Sequence, residues 1–160
     1  MKKKDIMILN NVLAGLNIEN ANVKFKYLVS KNKITLKTEV EMLQELINDS
    51  SKDFKVYDQQ SMALVSEFGV KDEEGNVVQL SNNAVRIIPE KLEEFKSKLE
   101  KLQKDNKKLI DIENARMTEV ETFMEEEVQG VTIERFPLGI LPDEISQEIM
   151  DVLFNYIDEA

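Results

Sequence analysis

Apolar positions along the chain fall into five stretches of helical spacing and two of extended character. Ile6, Leu9, Val12, Leu13 and Leu16 share one face over residues 5–17. Asn10, Asn11 and Gly15 weaken that helix, and a strand over Ile6–Leu9 is the alternative. Asn17 to Asn22 is a polar joint of turn-forming residues. From Val23 a long stripe follows at steps of three and four: Phe25, Val29, Asn32, Leu36, Val40, Leu43 and Ile47. This approaches the repeat of a coiled-coil seam. Asn48 to Ser51 breaks it, with Ser51 or Asp53 as the next helix cap. The stripe resumes at Phe54, Tyr57, Ser61, Val65 and Phe68, and Gly69 stands where a helix is expected to end.

Lys71-Asp72-Glu73-Glu74-Gly75-Asn76 reads as a turn, with Val77, Val78, Val85, Ile87 and Ile88 around a second turn at Ser81-Asn82-Asn83. Pro89 then opens a helix, with Glu90, Glu93 and Glu94 opposing its positive end. Leu92, Phe95, Leu99, Leu102, Asn106 and Leu109 carry its seam, and Ile110, Met117, Val120 and Met124 continue it with a shifted stripe. The helix is predicted to run about 35 residues, or about 50 Å. Val128 to Phe136 reads as a strand. After Pro137, Gly139 and Pro142, a last helix is predicted over 143–157 with Ile145, Ile149, Val152, Leu153 and Tyr156 on one face.

The predicted fold is α+β and mostly helical, in a single domain over 1–160. A long antiparallel helical hairpin joins 23–69 to 89–124. A small sheet pairs 77–88 with 128–135 at one end, flanked by the terminal helices. Asn32 and Asn106 fall on the seam of each long helix, where they either meet across the pair or a dimer axis, or merely border the seam. Glu113 and Arg116 fall where the heptad would continue, so the seam is expected to shift or the helix to bend there. A two-helix hairpin has a narrow seam, and a homo-oligomer is expected from it.

Composition narrows the chemistry. The chain of 160 residues has no Cys, His or Trp, which excludes disulfides, Cys/His zinc sites, thiol nucleophiles and histidine bases. Its five glycines have no phosphate-loop or dinucleotide spacing. A calcium loop starting at Asp72 would need Gly at Val77 and Glu at Asn83. No catalytic, cofactor-binding or metal-binding residue is expected. An enzyme built on carboxylates, such as a glycosidase or an oxygen-ligated metal site, is the remote alternative.

Net charge is -10, distributed unevenly. Residues 1–108 sum to +2 and residues 109–160 to -12. A negative field of this kind repels nucleic acid and anionic membrane and attracts basic protein surfaces. A protein partner with a basic surface is therefore expected, without direct nucleic-acid or membrane binding. The candidate docking residues are Glu119, Glu121, Glu125, Glu126 and Glu127, with Asp143, Glu144, Glu148 and Asp151. Lys2, Lys3 and Lys4 are basic, but the run after them is too short and polar for a signal peptide. No stretch approaches the length of a membrane span.

Three stretches taken together carry a resemblance. They are Phe25-Lys26-Tyr27 with Lys31-Asn32 and the Glu-rich helix after them, Lys71 to Asn76, and Phe123 with Glu125-Glu126-Glu127-Val128. Over roughly residues 20–135 their order resembles a family of small proteins of unknown function encoded by tailed bacteriophages and prophages. This chain departs in its longer acidic tail after Pro142. The resemblance implies a phage origin, placing the protein in the host cytoplasm or the virion, and no known chemistry. Two functions are expected from it: a non-enzymatic protein–protein contact in virion structure or assembly, or an acidic inhibitor of a host defence or replication protein, which mimics nucleic acid or otherwise occupies that protein's basic site.

Overall fold

The computed structural model describes residues 1–80, 84–142 and 144–158. Asp143 and the expected turn at Ser81-Asn82-Asn83 lie outside them. The architecture is α+β and mostly helical. Six α-helices are present among the described residues: α1 (Lys3–Gly15), α2 (Val23–Asn48), α3 (Lys52–Phe68), α4 (Leu92–Asp105), α5 (Lys107–Met124) and α6 (Gln147–Leu153). Two short strands, β1 (Phe136–Pro137) and β2 (Ile157–Asp158), pair in parallel. The chain divides into two compact units, 1–48 with 119–160, and 49–118.

In the first unit α1 packs along α2. Ile6, Leu9 and Leu13 of α1 are buried, and Ile6–Leu9 is helix rather than strand. The Asp5 carboxylate accepts from the backbone N–H of Lys2 at 3.0 Å, satisfying a donor at the helix start. Asn22 Oδ1 accepts from the N–H of Lys24 at 2.8 Å and opens α2. The α2 stripe buries Phe25, Val29, Asn32, Leu36, Val40 and Leu43 as its spacing requires, and adds Leu28. Phe136 of β1 meets Phe25 with ring centroids 5.3 Å apart, and Leu153 and Ile157 complete the core.

Asn32 is fully buried, and its partner is backbone. Its Nδ2 donates to the Glu134 carbonyl at 2.9 Å, and its Oδ1 accepts from the Glu134 N–H at 2.9 Å. One amide side chain thus reproduces a strand's two hydrogen bonds and fixes the extended segment before β1 onto α2. The other seam asparagine, Asn106, donates from Nδ2 to Leu102 O within its own helix.

In the second unit Ser51 caps α3, its Oγ accepting from the N–H of Phe54 at 3.1 Å. Phe68 stacks on Phe95 of α4 at 5.8 Å, Lys98 bridges Glu67 at 3.2 Å, and Ser50 reaches Glu113 of α5 at 2.7 Å. Between the helices runs a meander of isolated antiparallel bridges: Gly69 with Ile87, Lys71 with Val77, and Gln79 with Val85. The Asp72–Asn76 turn is held by Asp72 Oδ1, which accepts from the N–H groups of Glu74 and Asn76 at 3.0 and 2.8 Å. Gly75 there has φ +87°, a left-handed conformation that favours glycine. Gly69 is required for a different reason. Its φ is ordinary, but an added Cβ would lie 2.5 Å from Val77 Cγ1 and 2.8 Å from the Val65 carbonyl.

Four expectations need correction. The single domain expected over 1–160 is two compact units: the stripe of 23–48 is buried against α1 and the segment around Phe136 in one, and α3 packs on α4 in the other. The helix predicted to run unbroken to Met124 is divided at Asn106, where φ −108° and ψ 14° leave the helical region and the side chain competes for a backbone carbonyl. The sheet does not pair 77–88 with 128–135. Among the described residues, Val77 bridges Lys71, Ile87 bridges Gly69 and Gln79 bridges Val85, 128–135 form no strand, and β1 just beyond them pairs with β2. The last helix is shorter than 143–157. Ser146 caps it, accepting from the N–H of Ile149 at 3.4 Å. It ends at Leu153 in a 3₁₀ turn, after which the β-branched Ile157 enters β2.

Candidate functional site

The sequence placed the docking surface on Glu119, Glu121 and Glu125 to Glu127, with Asp143, Glu144, Glu148 and Asp151. The structure places a basic segment on Glu125 and Glu126. Lys2 Nζ lies 2.9 Å from Glu125 Oε2, and Lys4 Nζ 2.6 Å from Glu125 Oε1. Lys3 Nζ sits between the Phe123 ring, 3.7 Å from its centroid, and Glu126 Oε2 at 2.8 Å. The backbones join as well. Lys2 bridges Glu127 in antiparallel register, the Lys3 N–H donates to Glu126 O at 3.0 Å, and the Val128 N–H donates to Met1 O at 3.0 Å.

This arrangement is a clasp. The hydrogen bonds from Lys4 and Lys2 hold the Glu125 carboxyl below its ordinary range, and Glu125 in turn raises the Lys2 ammonium. The ion pairs of Lys2 and Lys4 are exposed to solvent, so salt screens them. Lys3 is better protected, its side chain only 12% exposed.

The other candidate residues are dispersed. Glu119 and Glu121 are exposed on α5, and Glu127 is exposed within the clasp. Glu144 lines an open polar pocket of about 560 Å³ with Asn17, Asn20 and Asn22. Glu148 is exposed on α6, and Asp151 accepts from Gln147 at 2.6 Å. Asp143 lies outside the described residues. No group of three or more acidic side chains poised to hold a metal ion is present among the described residues. No helix there is long and apolar enough to cross a membrane.

Glu113 and Arg116, read as a shift in the seam, form a partly buried ion pair. Arg116 Nη2 lies 2.6 Å from Glu113 Oε1, and its Nε lies 3.1 Å from each carboxylate oxygen. With Ser50 donating to the same carboxylate, Glu113 is kept below the usual carboxylate range, chiefly by Arg116.

A second surface was missed by the sequence reading. Val23, Tyr27 and Ile34 are 80%, 61% and 74% exposed. At about 100° per residue they fall on the side of α2 opposite Phe25, Val29, Asn32 and Leu36. The same geometry sets Lys24 and Lys31 along one margin of this stripe and Lys26, Lys33 and Lys37 along the other, with Lys31 paired to Glu134, Lys37 to Glu41 and Lys26 to the Glu19 carbonyl. The signal was in the sequence, since a helix with apolar residues on two faces has more to cover than one seam.

No family model, no curated protein and no solved structure matches this chain.

Proposed function

We propose that the protein is a non-enzymatic phage protein that works by protein–protein contact, in virion structure or assembly. The observation that carries the contact is the outward face of α2. An apolar stripe with a basic margin on either side has the anatomy of a recognition surface, an apolar centre within a polar rim. The partner that fits is a protein surface bearing an apolar patch edged by carboxylates. The phage setting rests on the resemblance of residues 20–135 alone.

The paired-helix rod belongs to this reading in a reduced form. Phe68 on Phe95, Glu67 on Lys98 and Ser50 on Glu113 support α3 running antiparallel to α4 and the start of α5. The acidic surface keeps a lesser role toward a basic partner through Glu119, Glu121 and Glu148. A nucleic-acid mimic is disfavoured, because Glu125 and Glu126, at the centre of its densest carboxylate run, are already paired with Lys2, Lys3 and Lys4.

A photo-crosslinking residue at Tyr27 or Ile34, compared with the same residue at Val56 on α3, tests this reading in phage-producing cells. One particle or assembly protein joined from both α2 positions and not from Val56 is the expected result. Equal labelling from all three positions, or adducts to none of the particle or assembly proteins, overturns it.

A further inference from the structure

The clasp does little for the fold. Ile6, Leu9 and Leu13 already anchor α1, and all three are buried. The ion pairs of Lys2 and Lys4 are exposed, and pairs of that kind contribute little to stability. Local helix energetics do not call for these charges either. Lysines at the start of α1 and glutamates just past the end of α5 each oppose the helix dipole.

The same atoms form a specific seat for ammonium groups. Lys3 Nζ is held between the face of the Phe123 ring and the Glu126 carboxylate, with its side chain only 12% exposed. The two oxygens of Glu125 take one further ammonium each, Oε2 from Lys2 and Oε1 from Lys4. The antiparallel bridge of Lys2 with Glu127 fixes the direction in which the seated segment runs. Backbone pairing that sets direction, with side-chain contacts that set identity, is how a sheet-like edge reads an extended peptide.

The resident segment is lightly held and leaves part of the surface unused. Releasing Met1–Lys4 unwinds only the first turn of α1, and of the ion pairs given up only that of Lys3 is sheltered from water. The other tie is the Tyr156 hydroxyl, which donates to Met1 Sδ at 3.3 Å, a weak acceptor. One turn back from Glu125 along α5, Glu121 is exposed and has no ion-pair partner among the described residues. A longer lysine-bearing segment in the same seat reaches that carboxylate as well. This gain offsets the advantage that attachment to α1 gives the resident.

We propose that Phe123, Glu125 and Glu126, with the backbone of 126–128, form a docking site for an extended lysine-rich segment of a partner protein, and that Met1–Lys4 is its displaceable cover. This site is separate from the outward face of α2, so either reading stands without the other.

Titration of the full chain with blocked hexalysine, followed by amide NMR shifts, tests the proposal. Lys2→Gln, Lys3→Gln and Lys4→Gln together uncover the site. Lys101→Gln, Lys104→Gln and Lys108→Gln, at exposed positions of α4 and α5, remove the same charge elsewhere. Hexalysine should bind the uncovered chain about tenfold more tightly than the native chain or that control, with its largest shifts at Phe123–Val128. Adding Glu125→Gln and Glu126→Gln should remove the gain. Affinity no higher than the control, shifts centred elsewhere, or a gain that survives loss of both carboxylates overturns the proposal. In the native chain, saturating hexalysine should move the Lys2–Lys4 amides as it displaces them. Amides that stay fixed at saturation overturn it too, whatever the variants do.

Discussion

The same kind of stripe meets two different fates in this molecule. In α2, Phe25, Val29, Asn32, Leu36, Val40 and Leu43 are all buried. In α3, Phe54, Tyr57, Ser61 and Val65 stay half-buried, and Phe68 alone is covered. The side chains are similar in size and spacing, so propensity does not explain the contrast. The surroundings do. The first unit supplies α1 on one side and β1, α6 and β2 on another, so each seam residue meets several layers. The second unit supplies one partner pair of helices and a small meander. Periodicity therefore specifies which face turns inward, while burial depends on how many elements converge on that face.

Substitutions sharpen this contrast. Phe25→Ala should cost about 3–5 kcal/mol and lower the denaturation midpoint of the whole first unit. Phe68→Ala should act locally, removing amide protection from α3 and α4 and leaving α1 and α2 unchanged by hydrogen exchange. Asn32→Leu strips the Glu134 backbone of both partners and should cost about 2 kcal/mol in a urea titration. Gly69→Ala should cost about 1–3 kcal/mol, since the Val65 carbonyl in its way is backbone and cannot turn aside.

Glu113 gives the second unit a pH signature. Its folded pKa is depressed, so its contribution is complete above the ordinary carboxylate range and is lost as pH falls through the folded value. Acid should loosen α3 and α5 around Ser50. Glu113→Gln should cost about 1–2 kcal/mol at neutral pH and flatten that acid response in a pH series of melting curves. The smallest effect is expected at the clasp. Glu125→Gln should shift the melting temperature slightly at low salt and not at all in about 1 M salt, where screening acts within a few ångströms.

The local features were legible in the sequence: the α2 stripe from Phe25 to Leu43 apart from Leu28, a cap at Ser51 or Asp53 that falls to Ser51, and the Asp72–Asn76 turn. Each is written in neighbouring residues. What failed to show were pairings between distant ones. Asn32 could be placed on a seam, but its partner is backbone 102 residues away. The carboxylates at 125–127 were legible as charge. Their occupants, Lys2 to Lys4, lie some 120 residues earlier and read only as a short basic run. The break at Asn106 was hidden for another reason, because Asn at a seam position has both an inward and a self-bonding solution. The β1–β2 pair is two residues long on each side, too short to leave a periodic trace.

Amide hydrogen exchange on the full-length chain across a dilution series addresses the contrast between the units most directly. Protection of α2 should be strong, while protection of α3 and α4 should be weaker at every concentration. Equal protection of α2, α3 and α4 would contradict the account.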